Sequence, residues 1–188
     1  MFHEVRIGES SPTGRQKRIE NFWLLQGKSF GKKEQDVRIE KVEKSKKEYE
    51  ELLLLADPSE EMISRYLQAS DMYVGFVDGR AVCEAVVMKT GENECELKNL
   101  ATKQEEQGKG YASELVHFLF DCYRERFTVM TVGTSEGGVA FYERFGFQKS
   151  GLRAGFFTKN YSPPIYENGR LCRDMILLQK ELCRRESL

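Results

Sequence analysis

Between Glu94 and Tyr123 the hydrophobic period of the chain changes from two residues to 3.6 across a glycine-bearing turn. Residues 94–102 read as a strand. Leu115, Val116, Leu119, Phe120 and Tyr123 then form the apolar stripe of a helix of about four turns that opens at Gly110. A strand that feeds a helix in this way belongs to a sheet with helices on its faces. The flanking signals agree. Val37, Ile39 and Val42 alternate as a strand, and 45–55 reads as a helix. A second helix is expected with Asp57 as N-cap, Pro58 at its first position and Glu60 closing a capping box. Met62, Ile63, Tyr66 and Leu67 supply its apolar stripe. Strands at 72–77 and 80–89 are joined by Asp78-Gly79, the pair that suits a two-residue hairpin turn. Further on come a strand at 127–132, a short helix at 138–145, a strand at 147–153, a long loop over 155–170 and a closing strand at 173–178. The order β-α-α-β-β-β-α-β-α-β-β predicts an α/β fold: a central mixed sheet of about seven strands with helices on both faces.

Composition narrows the function classes. Of 188 residues, 40% are hydrophobic, enough for a sizeable core, and 29 Lys+Arg nearly cancel 30 Asp+Glu. A protein that coats a polyanion with one basic field is therefore not expected. Residues 1–35, basic and rich in breakers, read as an N-terminal extension with a short docking helix at 15–26. The expected domain covers 36–180, and 181–188 form a tail. The five cysteines make no CxxC pair and there are two histidines, so neither a disulfide framework nor a zinc site is expected. His117, among Leu115, Val116 and Phe118, reads as a packed or surface residue. The longest apolar run, 52–56, falls far short of the roughly 20 residues that span a bilayer. With no apolar leader at the N-terminus, a cytoplasmic protein is expected, as monomer or homodimer, with no membrane or nucleic-acid partner.

The chemistry concentrates at the turn. A glycine-bearing turn that enters a helix N-terminus presents unpaired N–H groups and the positive end of the helix dipole, which suits an anion such as a phosphate. Gln107, Gly108, Lys109, Gly110, Tyr111 and Ala112 keep small residues at alternate positions and add one cation. This is neither a P-loop nor a dinucleotide fingerprint, because both spacings are missing. Glu84 interrupts an otherwise apolar strand and is expected on a wet cleft face or in a pair, as a base or acceptor ligand.

The Gln-x-x-Gly-x-Ala signature at 107–112, after a strand that ends Asn99-Leu100-Ala101-Thr102, resembles the acetyl-CoA motif of the GNAT-superfamily N-acetyltransferases. The Phe-Tyr-x-x-x-Gly-Phe run at 141–147 is similar to that family's second signature, in the same order and spacing. The resemblance implies that 107–112 grip the pyrophosphate of acetyl-CoA through backbone N–H groups. It implies that Leu100, Ala101 and Thr102 pair with the pantetheine arm, that Tyr142 is the general acid, and that Glu96 is the base. Ser135 stands where relatives carry a CoA-contacting Asn, and Gly138 where Ala is usual. No metal is implied.

These roles suit amine acetylation. An acceptor ammonium with pKa near 10 must lose a proton before attack, and a phenol with a similar pKa can return one to the leaving group. Aromatic residues between 155 and 170, followed by an acid, suit a cation. Phe157, Tyr161, Tyr166 and Glu167, with Asp174 beside them, are the expected acceptor site. The expected function is transfer of acetyl from acetyl-CoA to a primary amine of a small molecule. A non-catalytic CoA-binding module and a protein or peptide amine acetyltransferase are the alternatives.

Overall fold

The computed structural model describes residues 37–182; the expected helix at 15–26 lies outside the described residues. Seven strands form one sheet in the order β1 (Arg38–Val42), β2 (Asp71–Val77), β3 (Arg80–Lys89), β4 (Glu94–Thr102), β5 (Val129–Thr134), β9 (Met175–Glu181) and β6 (Gln148–Arg153). Neighbours are antiparallel except β4 and β5, which run parallel. The parallel step is where the four-turn helix α3 (Tyr111–Tyr123) crosses from one strand to the next. This is the mixed sheet that the sequence predicts.

Side-chain alternation gives the sheet two apolar faces. On one, Leu115, Val116, Leu119 and Tyr123 of α3 pack against Tyr73, Cys83, Ala85, Val87, Leu97 and Met130. On the other, Leu53 of α1 (Glu50–Ala56) and Ile63 of α2 (Glu60–Ser64), with Tyr66 and Leu67, cover Met72, Val74 and Val86. Neighbouring residues of β2 and β3 thus serve opposite cores, as period two requires. The β2–β3 turn has positive φ at both Asp78 (50°) and Gly79 (74°), the conformation of a type I′ hairpin.

Four local expectations need correction. The 45–55 helix opens with a 3-10 turn at Lys46–Tyr49, because Ser45 sits in the left-handed region, and becomes α-helical only from Glu50. The cap of α2 is Ser59, whose Oγ accepts the Met62 N–H at 3.3 Å. Asp57 is turned inwards and accepts the Ser59 N–H at 3.2 Å, so the helix starts two residues beyond the expected Pro58. Phe127 lies in the turn that follows α3, stacked on Tyr123 with its N–H on the Tyr123 carbonyl, and β5 begins two residues later. The region 155–170 is no plain loop. It contains α5 (Phe156–Asn160) and opens a small hairpin, β7 (Tyr166–Glu167) and β8 (Arg170–Leu171), turned by Asn168-Gly169.

Candidate active site

The site starts where two strands part. β4 and β5 pair only from Glu94↔Val129 to Leu97↔Val132. Beyond that, β4 runs on to Thr102 held by β3 alone, and β5 runs to Thr134 held by β9. At the parting point the β3–β4 register steps from Val87↔Leu97 to Val86↔Asn99, which leaves Lys98 as an extra residue in β4. A bulge of this kind bends its strand, here away from β5. The free edge of β4 and the mouth of the V line one cavity of about 1080 Å³.

At one end of that cavity lies the glycine turn. Gly108 (φ 76°) and Gly110 (φ 95°) occupy the left-handed region, and a Cβ at either would meet no atom of the described residues within 4 Å. The space in front of the turn is therefore open. Gly110 caps α3 and, having no side chain, offers the first N–H groups of the helix no acceptor of its own. Gln107 Nε2 donates to the Thr102 carbonyl at 3.2 Å and braces the turn against β4. Lys109 points elsewhere: its Nζ is 2.6 Å from Glu106 in an exposed ion pair, and it does not line the cavity.

Midway stands α4 (Val139–Glu143), which presents Tyr142 to the cavity with its ring against Phe141 and Phe147. Burial, and secondly the carboxylate of Glu84, raise the Tyr142 pKa well above that of a free phenol. Gly138, just before α4, is forced: a Cβ there would collide with Thr134 Oγ1. Ser135 Oγ donates to Glu167 Oε2 at 2.5 Å, so these two expected site residues meet and tie the β7–β8 hairpin to the end of β5.

At the far end are Asp57, Tyr66, Phe156, Phe157, Tyr161 and Tyr166. Phe157 and Tyr161 pack with ring centroids 5.9 Å apart. Asn99 Nδ2 donates to the Tyr66 hydroxyl at 2.9 Å and to the Leu53 carbonyl at 3.1 Å. Asp57, Tyr66 and Asn99 were not expected here. An asparagine inside an apolar strand was a signal for Asn99, whereas Asp57 was masked by its resemblance to a helix cap. Asp174 is directed to the Gly155 N–H at 2.6 Å, and supports the entry to α5 rather than the far end.

The two carboxylates on the sheet differ. Glu96 is nearly buried and bound to Lys98 Nζ at 3.0 Å; Lys98 lines the cavity and Glu96 lies behind it. Glu84, on β3 opposite Ala101, is fully buried on the face of Val86, and neither oxygen has a full hydrogen-bond partner among the described residues. The expected wet or paired setting is therefore corrected to a dry, unpaired one. Burial pushes its pKa up from 4.5 to about 8, with the Ala101 backbone N–H pulling weakly the other way. Between those values the unfolded chain has released a proton that the folded protein keeps. Stability should thus fall as pH rises from about 4.5 to about 8 and level off above it. Glu84→Gln removes this loss. Denaturant midpoints from roughly pH 5 to pH 9 should show the variant gaining on wild type as pH rises, then holding a constant lead. Parallel curves would show that Glu84 ionises freely in the folded protein.

Among the described residues no group of three or more His, Cys, Asp or Glu side chains could hold a metal ion, and no helix is long and apolar enough to cross a membrane.

Comparison with known proteins gives one family. Residues 68–149 match the acetyltransferase (GNAT) domain model. The chain is 31% identical over 152 residues to the uncharacterized N-acetyltransferase YvbK of Bacillus subtilis, covering 79% of this chain and 98% of that protein. A GNAT family acetyltransferase from Elizabethkingia anophelis, solved with acetyl-CoA bound, superposes with a TM-score of 0.74 at 31% identity, covering 78% of this chain and 98% of its own. A Bacillus subtilis acetyltransferase solved in complex with CoA superposes with a TM-score of 0.73 at 30% identity, covering 78% and 99%.

Proposed function

The chain belongs to the GNAT N-acetyltransferases, and from that premise we propose that it moves the acetyl group of acetyl-CoA directly onto a primary amine of a small molecule. The observation that carries this reading is a single cavity joining the open glycine turn, the free edge of β4 and a far end walled by rings and one carboxylate. The residues fit the donor. Gly108 and Gly110 leave room for a pyrophosphate against backbone N–H groups, and Thr102 Oγ1, buried without a hydrogen-bond partner among the described residues, offers a polar group beside the arm. When bound, acetyl-CoA supplies a thioester carbonyl open to attack by an amine.

The chain's own residues then divide the work. Residues 107–112, Gly110 foremost, hold the phosphates, and the unpaired edge at Leu100, Ala101 and Thr102 holds the arm as an added strand would. Ser135, at the end of β5, touches the arm from the other side of the V. Tyr142 keeps its proton at Oη for the departing sulfur, because burial disfavours its anion. Glu96, through Lys98 or a water, receives the proton that the ammonium must lose, and Glu84 is the buried acid behind Tyr142. Phe157, Tyr161 and Tyr166 wall the acceptor end, and Glu167 lines the cavity beside Ser135.

The test is release of CoA thiol from acetyl-CoA in the presence of small amines and, separately, of peptides with free amino groups. Turnover of the small amines at a kcat/KM at least about tenfold above any peptide is expected. The reverse order would make this a peptide acetyltransferase, and binding of acetyl-CoA without turnover of either would make it a binding module.

A further inference from the structure

At the far end of the cavity Asp57 and Lys98 line the wall, and Glu96 lies behind Lys98. Glu96 is bound to Lys98 at 3.0 Å, while Asp57 makes no ion pair among the described residues. We propose that Asp57 selects the acceptor, and that the acceptor is a primary amine carrying a single positive charge on an apolar body. The inference rests on the small-molecule reading above and names its substrate class.

Three observations lead there. First, Asp57 is only 9% exposed yet stands on the cavity wall, where it accepts the Ser59 N–H at 3.2 Å. An acid this buried calls for a charged partner, and Lys98, already held by Glu96, is shared too thinly to neutralise both. Burial raises the Asp57 pKa, opposed by Ser59, the Tyr161 hydroxyl, Lys98 and the Tyr66 hydroxyl, all of which favour the anion. Second, the surroundings of Asp57 are rings. Lys98 Nζ already lies 5.5 Å from the Tyr66 ring centre, so this wall accepts an ammonium on its face. Leu55, Met62 and Phe156 add apolar surface for the body of the ligand. Third, the cavity is hostile to a second positive charge. Arg144 and Arg153 also line it and make no ion pair among the described residues, whereas Arg65 is held by Glu61, and the other acids of the lining, Glu106 and Glu167, are engaged by Lys109 and Ser135. A polyamine or an aminoglycoside would satisfy Asp57 with one ammonium and bring the others against guanidinium groups.

The experiment compares 2-phenylethylamine with spermidine and kanamycin on the full chain with acetyl-CoA, for wild type and for Asp57→Asn. The substitution keeps an oxygen for the Ser59 N–H and removes only the charge. Wild type should favour 2-phenylethylamine by at least about tenfold in kcat/KM. Asp57→Asn should raise KM for that amine on the order of tenfold or more, as loss of a charge-assisted contact does. The rise in Tm that acetyl-CoA causes should stay the same in both proteins, which separates a lost acceptor contact from a damaged fold or donor site. An unchanged KM in a folded Asp57→Asn overturns the assignment of Asp57. A wild-type preference for spermidine or kanamycin overturns the class, and needs no variant to fold; either result leaves the small-molecule reading standing. Turnover of peptides alone removes that reading and this inference together.

Discussion

Tyr142→Phe is expected to lower kcat by roughly 10²–10⁴-fold, the usual worth of a positioned general acid. The rise in Tm caused by acetyl-CoA should survive, and KM for the amine should move little. The structure argues for this split. The ring of Tyr142 packs at 5.1 Å from Phe141 and 5.7 Å from Phe147 by centroid, and phenylalanine keeps both contacts. What is lost is one hydroxyl facing the cavity. Its proton is firmly held: burial removes the water that would stabilise a phenolate, and a charge on Glu84 would disfavour one further. A group that stays protonated through neutral pH can serve as a donor and cannot serve as a base. Loss of a ground-state contact would raise KM, whereas loss of a proton donor lowers kcat and kcat/KM together. Steady-state kinetics at saturating acetyl-CoA distinguish the two, and a fully active phenylalanine variant would remove Tyr142 from the chemistry.

The elements that carry this argument were legible in the sequence to very different degrees. β4, the glycine turn and α3 announce themselves, because a change of period and a run of small residues are local properties of the chain. The hairpin at Asp78-Gly79 is equally local. The V between β4 and β5 is not. It exists because Leu97 has a parallel partner in Val132 and Leu100 has none, a fact about two segments roughly thirty residues apart that no window of sequence contains. Asp57 shows the same limit from the other side. Asp-Pro-Ser-Glu satisfies the local rule for a helix start at two positions, and the hydroxyl of Ser59 took the role. That left Asp57 beside the Tyr66 and Tyr161 hydroxyls on the cavity wall. Glu84 was visible as an oddity in an apolar strand, but whether the oddity is wet or dry depends on the packing of α1 and α2 over that face. Glu167, expected against the amine, meets Ser135 instead, since the β7–β8 hairpin folds its acid back towards the end of β5.

Gly110→Glu should abolish the stabilisation by acetyl-CoA while leaving a folded protein. Two effects separate cleanly here. Gly110 sits at φ 95°, so any L-residue costs about 1–2 kcal/mol of conformational strain. A Cβ meets no atom of the described residues within 4 Å, so sterics add nothing. The unliganded variant should therefore melt a few degrees lower and still cooperatively. The side chain projects into the open space before the helix N-terminus, where its carboxylate would occupy the favourable end of the dipole and repel a phosphate. Like charges brought together in a binding site cost several kcal/mol, on the order of 10²-fold or more in affinity. Ligand that binds only the folded state raises Tm in proportion to the logarithm of its concentration over Kd, so a loss of this size erases the shift at modest excess. Gly110→Ala is the control: it carries the same strain without the charge, and should keep a reduced but measurable shift. If Gly110→Glu and wild type respond alike, the phosphates bind away from this turn.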